Sequence, residues 1–158
     1  MGSVDTQAKL KVLGCIARRL NAAHVTWAVG ASLLLYLKGK APGFHDIDLL
    51  VAEADLPRAG AELAALGALQ PPHPNPGFKT RHFLEFVVQG VDVDVMAGLV
   101  VVSGGSDHAF PLEPGDVQDW AEVDGVTVPL HSLAQWRTLY QLMGRPEKVR
   151  MIDGAPIR

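Results

Sequence analysis

Two apolar stretches of the sequence each carry aspartates at alternate positions, and this repeated pattern restricts the fold more than any other feature. Residues 45–51 read HDIDLLV and residues 91–96 read VDVDVM. Alternate residues of a strand point to the same face of a sheet. Each stretch therefore predicts a strand with two carboxylates on one face and aliphatic side chains on the other. Because aspartate is depleted in strands, both pairs need a physical reason.

The two aspartate pairs have two interpretations. A single pair is explained by the solvated face of an edge strand. If the two strands are neighbours, up to four carboxylates crowd one patch, and they raise each other's pKa unless a cation neutralises them. Carboxylate oxygens suit Mg²⁺, which also binds substrate phosphates, and such ions support phosphoryl displacement. The repetition therefore favours a metal site.

A tight turn precedes the first aspartate pair. Residues 25–29 (VTWAV) predict a short strand, which is followed by Gly30, Ala31 and Ser32. Glycine allows a phosphate to approach the backbone, and the N-terminus of a following helix offers free N–H groups. Ser32 is expected either to cap that helix, over residues 33–38, or to hydrogen-bond a phosphate oxygen.

The remaining pattern predicts an α/β (α+β) fold, a mixed sheet flanked by helices, in a single domain spanning residues 1–158. Four prolines make residues 70–77 a loop, and residues 103–108 (SGGSDH) are expected to form a flexible loop. Hairpin turns are predicted at Gln89-Gly90 and at Asp124-Gly125. Further elements are expected as helices over residues 6–22, 55–66 and 132–143 with a short helical tail after Pro146, and as strands over residues 46–52, 80–88 and 91–96.

Composition and motifs exclude several classes of function. The formal charge of −3 makes nucleic acid an improbable partner, and no apolar run approaches the length of a membrane span. The single cysteine permits no intramolecular disulfide, and no apolar leader opens the chain, so a cytoplasmic location is expected. The six histidines lack zinc-ligand spacing, and the chain contains no GxSxG, GxxxxGK[ST] or GxGxxG motif.

The order of Gly30-Ala-Ser32, then Asp46-Ile-Asp48, then a later aspartate on a strand resembles the DNA polymerase β-type nucleotidyltransferase superfamily. Residues 28–51 are similar to its small bacterial members, which are lincosamide and aminoglycoside nucleotidyltransferases and the nucleotidyltransferase halves of toxin–antitoxin pairs. Residues 123–148 resemble their closing segment. The similarity covers most of residues 25–148.

The resemblance implies a set of functional residues. Asp46 and Asp48 would ligate Mg²⁺ bound to a triphosphate, and Asp94 would be the third carboxylate and help to deprotonate the accepting hydroxyl. Asp92 is the alternative third carboxylate, since the sequence allows either register. The nucleotide-binding residues would be Gly30, Ala31 and Ser32, joined by Lys38, Arg145 and Lys148.

Two functions from different classes follow from this resemblance. The first is a Mg²⁺-dependent enzyme that moves a nucleotide monophosphate, AMP being the expected one, from ATP or another nucleoside triphosphate to a hydroxyl of a small molecule or protein. The second is a binding module on the same fold, such as an antitoxin-like subunit. Relatives carry an Arg and a Thr where Pro42 and Phe44 stand, and a Lys where Tyr140 stands. These departures favour the second function, whereas the intact aspartates favour the first. The short chain also suggests that a homodimer or a protein partner completes the acceptor cleft.

Overall fold

The computed structural model describes residues 4–72 and 79–155. Its main element is a seven-stranded mixed sheet in the order β3-β4-β5-β2-β1-β9-β8, accompanied by a two-stranded sheet of β6 and β7. Strand β2 runs parallel to β5, and β1 runs parallel to β9, whereas the other pairings in the main sheet are antiparallel. The strands are β1 (Trp27–Val29), β2 (Ile47–Val51), β3 (Ala68–Leu69), β4 (His82–Val88), β5 (Val91–Ala97), β6 (Leu99–Ser103), β7 (Ser106–Phe110), β8 (Asp119–Val123) and β9 (Val126–Leu130).

Five α-helices accompany the sheet in the described part of the chain. Helix α1 contacts β8, β9 and α3, while α4 contacts α2, α5 and β6. None of the described helices is both long and apolar enough to cross a membrane. The helices are α1 (Thr6–Ala22), α2 (Ala31–Leu37), α3 (Leu56–Ala64), α4 (Leu133–Leu142) and α5 (Pro146–Asp153).

The two central strands divide their side chains as the alternation predicts. Ile47 and Leu49 of β2 and Val93 of β5 have no exposed surface. The aspartates occupy the opposite face, where Asp48 and Asp94 are only half-buried. Burial of the aliphatic face fixes the register, since a slip of one residue would place carboxylates in the core.

Most local predictions are confirmed. Asp5 caps α1 by accepting a hydrogen bond from the Ala8 amide at 2.8 Å. Gln89 and Asp124, together with the glycines that follow them, have positive φ angles in two-residue hairpin turns. The helical tail is α5, which begins at Pro146.

One local prediction was wrong, one strand was not predicted, and one predicted loop is only partly described. Residues 103–108 are not a flexible loop, because Ser103 pairs with Ser106 in the β6–β7 hairpin and the intervening glycines adopt positive φ. Strand β3 was not predicted; it is held by antiparallel pairing with β4. The predicted loop 70–77 has no regular structure at residues 70–72, and residues 73–77 lie outside the described residues.

Candidate active site

Four neighbouring strands bring the glycine turn and the acidic residues into one row across the sheet. The Gly30 amide, just after β1, donates to the Asp48 carbonyl on β2 at 3.0 Å. Asp48 is in register with Asp94 on β5, and Asp94 is in register with Glu85 on β4. These four residues, in the order Gly30, Asp48, Asp94, Glu85, form what we call the carboxylate row. The two predicted aspartate strands are therefore direct neighbours, and the edge-strand interpretation is wrong.

The centre of the row is an inner pair, Asp48 and Asp94. Burial, followed by the charges of Asp94 and Asp46, raises the pKa of Asp48 to about 8. Burial, followed by the charges of Asp46 and Glu85, raises the pKa of Asp94 to about 6. A hydrogen bond between the two carboxyl groups adds to the raised pKa of Asp48 and opposes the shift at Asp94. Burial and mutual repulsion therefore disfavour ionisation of both groups at once.

An outer cluster lies at the entry to the same strands and consists of His45, Asp46 and Asp92. One ligand atom from each residue lies within 4.8 Å of the others, and His45 Nε2 is 3.5 Å from Asp46 Oδ1. Burial raises the pKa of Asp46. The charge of His45 opposes this rise, and the charge of Asp92 adds to it. His45 and Asp92 are exposed. The predicted ligand Asp46 therefore belongs to a more open environment than Asp48.

A cavity of about 400 Å³ joins the inner pair to several of the predicted phosphate-binding residues. The lining of the cavity is mixed. Its polar residues are Ser32, Asp48, Thr80, Asp94, Tyr140, Arg145 and Lys148, and its apolar residues are Ala31, Phe83, Met96, Leu99, Trp136 and Met143.

Ser32 contacts a basic residue distant in sequence and does not cap its helix. The N-cap of α2 is Gly30, and Ser32 lies inside the first turn. The Lys148 ammonium donates to Ser32 Oγ at 3.1 Å, joining α5 to the glycine turn. Lys148 is half-buried and also lowers the pKa of Asp48. The capping prediction was wrong because the competing partner comes from a helix that local sequence cannot place.

Tyr140, the residue found where the resemblance predicts a lysine, lines the cavity beside the inner pair. Burial, followed by the charge of Asp48, raises the pKa of Tyr140 to about 12, so the phenol is neutral. A hydrogen bond between Tyr140 and Ser32 opposes this shift. The Lys148 ammonium also hydrogen-bonds Ser32, so a residue of α5 supplies positive charge at this position.

The backbone of the glycine turn is restricted at two adjacent residues for different reasons. A Cβ atom at Gly30 would lie 2.6 Å from Leu50 Cδ1 and 2.6 Å from Trp136 Cζ2, so helix α4 packs directly on this glycine. Ala31 has a φ angle of 54°, in the left-handed region that disfavours a Cβ atom. The absence of a side chain at Gly30 therefore allows α4 to pack on the turn, whether or not a phosphate binds there. Ala31 stores strain beside the cavity.

Of the other two predicted basic residues, Arg145 lies at the cavity and Lys38 lies away from it. Arg145 lines the cavity, lies 6.0 Å from the centre of the Tyr140 ring and bonds Glu147 at 2.7 Å. Lys38 does not line the cavity and instead pairs with Asp119 of β8. The structure thus brings Arg145 and Lys148 together with the inner pair but leaves Lys38 outside.

Sequence reasoning did not identify three residues of this region. Lys9 of α1 donates to the Phe44 carbonyl at 3.1 Å and lowers the pKa of Asp46. Glu85 extends the carboxylate row, and Phe83 lies two residues away on the same face of β4. The alternation of β4 could have shown that Phe83 and Glu85 share a face. Their nearness to Asp94 depends on strand pairing.

The arrangement fits a hard divalent cation and a polyanion. The inner pair offers only oxygen ligands that face each other across adjacent strands, and its raised pKa values indicate stabilisation by added positive charge. Lys148, Arg145 and the Ser32 hydroxyl provide donors for anionic oxygens in the same cavity. The cavity can therefore hold a metal-bound phosphate compound.

No protein-family model and no curated protein matches the chain. Solved structures do match. A candidate nucleotidyltransferase from Thermotoga maritima is 24% identical, with a TM-score of 0.74 over 96% of this chain and 94% of that chain. The lincosamide antibiotic adenylyltransferase LnuA, solved with lincomycin bound, is 11% identical, with a TM-score of 0.61 over 97% and 99%. ANT(2'')-Ia in complex with adenylyl-2''-tobramycin is 12% identical, with a TM-score of 0.60 over 91% and 87%.

These similarities extend over nearly the whole length of each chain, and they confirm the resemblance inferred from the glycine turn and the Asp-x-Asp strand at the level of the fold. The mixed sheet with its flanking helices is the fold of these nucleotidyltransferases.

Proposed function

We propose that the protein is a Mg²⁺-dependent nucleotidyltransferase that moves AMP from ATP to a hydroxyl group of a small-molecule acceptor. The observation that carries the proposal is the inner pair, Asp48 and Asp94, which shares one cavity with Lys148 and Ser32. Oxygen ligands for a metal and donors for phosphate oxygens are both needed for nucleotidyl transfer. An isolated acidic patch would supply only the metal ligands and not the donors for phosphate.

The basic wall of the cavity would bind and orient the triphosphate. Lys148 and Ser32 would donate hydrogen bonds to the β- and γ-phosphate oxygens, and Arg145 would approach them from the rim. Asp46, Asp48 and Asp94 would hold Mg²⁺, which neutralises charge on the phosphates when bound. Asp94 rather than Asp92 would be the third carboxylate, because Asp94 is in register with Asp48 and lines the cavity.

Asp94 would also act as the base in the transfer. Before a cation binds, burial and the charges of Asp46 and Glu85 raise the pKa of Asp94 to about 6, which makes its carboxylate more basic than that of an ordinary aspartate. The acceptor oxygen would form a bond to the α-phosphorus as its proton moves to Asp94. The bond between the α-phosphorus and the bridging oxygen to the β-phosphate would break, and pyrophosphate would leave with that electron pair.

The adenylyl group and the small acceptor are proposed from the solved relatives. LnuA is named an adenylyltransferase and was solved with lincomycin bound, and ANT(2'')-Ia was solved with adenylylated tobramycin. The same fold with a cavity of about 400 Å³ makes a small hydroxyl compound the first class to test.

Calorimetric titration of ATP with and without Mg²⁺ tests the proposal. We expect metal-dependent binding to the wild type and its loss in Asp48→Asn/Asp94→Asn, because the variant lacks the paired oxygen ligands. Asp119→Asn is the matched control, since Asp119 is also a strand aspartate but pairs with Lys38 away from the cavity. Equal binding by the double variant and the control would contradict the proposal. Absence of binding by the wild type at millimolar ATP would leave the binding-module hypothesis.

A pair of lysine variants tests the phosphate wall separately. Lys148→Met is expected to weaken ATP binding by about tenfold to a hundredfold, because it removes a charged hydrogen bond to phosphate. Lys38→Met is expected to change ATP binding by less than about twofold, because Lys38 forms an exposed ion pair with Asp119. The dissociation constants of the two variants decide between the two lysines. A larger loss of ATP affinity in Lys38→Met would indicate that the phosphates bind near Lys38 and not near Ser32.

A further inference from the structure

We propose that the acceptor binds on the β4 side of the carboxylate row, against Phe83 and Met96, and that it is a hydroxyl compound with an apolar ring or aliphatic face beside its reacting hydroxyl. This inference rests on the proposed function and specifies the substrate class for the same cavity.

The carboxylate row has a definite direction across the sheet. It begins at Gly30 beside β1, crosses Asp48 on β2 and Asp94 on β5, and ends on β4. Neighbouring strands lie about 4.8 Å apart, so the distance from the β1 end to the β4 end is about 14 Å. Lys148 and Ser32 mark the first end. Glu85 is the last member of the row at the second end, and Phe83 lies two residues from it on the same face of β4.

Displacement at phosphorus places the acceptor opposite the leaving group. The attacking and leaving oxygens are roughly in line through the α-phosphorus. If pyrophosphate lies at Ser32 and Lys148 and the α-phosphate lies at the inner pair, the line continues toward β4. The acceptor hydroxyl must therefore approach from that side of Asp94.

The wall on that side is apolar. Phe83 is in register with Met96, both line the cavity, and the cavity surface continues over Leu99 and Met143. Within residues 4–72 and 79–155, Phe83 is one of three exposed large hydrophobic side chains, with 36% of its surface accessible. The nearby Thr80 hydroxyl already accepts a hydrogen bond from the Val100 amide at 3.2 Å. An exposed aromatic ring inside a cavity, flanked by a flexible methionine, suits an apolar surface of a ligand.

Benzyl alcohol is the probe, because it joins one hydroxyl to one apolar ring. Its binding is measured by saturation-transfer-difference NMR, with and without saturating Mg²⁺ and α,β-methylene-ATP, which cannot transfer AMP. We expect benzyl alcohol to bind the nucleotide complex, glycerol to give no signal, and Phe83→Ala to weaken benzyl alcohol binding by about tenfold through lost apolar contact. Phe83→Leu should retain most of the affinity. Trp120→Ala is the control, since Trp120 is 55% exposed on β8, at the far edge of the sheet.

Each outcome separates the inference from the proposed function. Displacement of benzyl alcohol by the nucleotide analogue would assign the apolar wall to the nucleobase and overturn the inference alone. A bound nucleotide together with equal probe affinity in wild type and Phe83→Ala would also overturn it. Failure of the wild type to bind the nucleotide analogue, measured in the same samples, would overturn the proposed function and with it the acceptor assignment.

Discussion

The inner pair and the outer cluster are built from the same sequence pattern on the same two strands, yet they have different environments. Asp48 and Asp94 line the cavity, and burial raises their pKa values to about 8 and about 6. Asp92 and His45 of the outer cluster are exposed. A shift of two residues along β5 therefore separates a carboxylate in the cavity from one in contact with solvent.

The difference shows that proximity of carboxylates is insufficient to define a reactive site. The outer cluster also places three potential ligand atoms within 4.8 Å of one another. The inner pair instead combines two carboxylates in register on neighbouring strands with a cavity that also contains Ser32 and Lys148. A cation at the inner pair is screened less by solvent, so it interacts more strongly with both carboxylates and substrate.

The largest expected effect separates Asp94 from Asp92. Asp94→Asn should lower the turnover of AMP transfer to benzyl alcohol by about 10²–10³-fold, since it removes a metal ligand and the base. Asp92→Asn should lower it by less than about fivefold, because screened surface charges contribute little. Pyrophosphate release measures both rates. Equal losses would place the third carboxylate outside the cavity and remove the distinction between the two groups.

Substitutions at two adjacent residues of the glycine turn, which adjoins the inner pair, should have opposite effects on the free energy of unfolding. Gly30→Ala is expected to lower the free energy of unfolding by about 1–3 kcal/mol, because its Cβ would overlap Leu50 and Trp136. Ala31→Gly should raise it by up to about 1 kcal/mol, because it relieves a left-handed φ at the cost of greater freedom in the unfolded chain. Chemical denaturation measures both. A stabilising Gly30→Ala would show that α4 does not pack on this turn.

The inner pair should also make the metal-free protein less stable as pH rises. Both aspartates have raised pKa values, so the folded state holds more protons than the unfolded state above pH 4. Stability contributed by protonated Asp48 is therefore present at low pH and is lost as pH rises toward about 8. Asp48→Asn should be more stable than wild type by about 1–3 kcal/mol at pH 9 and by less at pH 5.

Denaturant titrations of metal-free protein at both pH values check this dependence, with Asp92→Asn as the control from the outer cluster. We expect the control to follow the wild-type pH profile closely. If Asp48→Asn gives no increase in stability at pH 9, the inner pair does not carry the uncompensated charge that the cavity requires.

The smallest expected effect is at His45. His45→Gln should change Mg²⁺-dependent ATP binding by less than about twofold, because the imidazole is exposed and its ion pair with Asp46 is a surface contact. Calorimetry measures the change. A loss of tenfold or more would mean that the exposed residues of the outer cluster, and not Asp46 alone, take part in nucleotide binding.

Local sequence predicted those parts of the site that depend on alternation and turn chemistry. Two Asp-x-Asp stretches predicted two strands with one acidic face, and the positive φ angles at Gln89 and Asp124 occur in turns expected from their sequence. The register Asp48–Asp94 was not determined by either stretch alone. It depends on burial of the aliphatic side chains on the opposite face.

The parts that sequence did not predict depend on contacts between distant residues. Ser32 contacts Lys148, which is 116 residues away, so its local capping potential is not used. The two glycines of residues 103–108 indicated a loop, but their positive φ angles form the turn of a hairpin stabilised by strand pairing. Phe83 could be assigned to the site only because the structure pairs β4 with β5 beside Asp94.

Paramagnetic broadening by Mn²⁺ in the ATP complex locates the metal site without relying on activity. Mn²⁺ replaces Mg²⁺ at oxygen sites, and it broadens amide NMR signals according to distance from the ion. If the metal binds at the inner pair, the signals of Asp48, Asp94 and Ser32 broaden at the lowest Mn²⁺ concentration, and Asp48→Asn/Asp94→Asn abolishes this effect. Broadening that begins at His45 and Asp92 and persists in the double variant would contradict this placement of the metal.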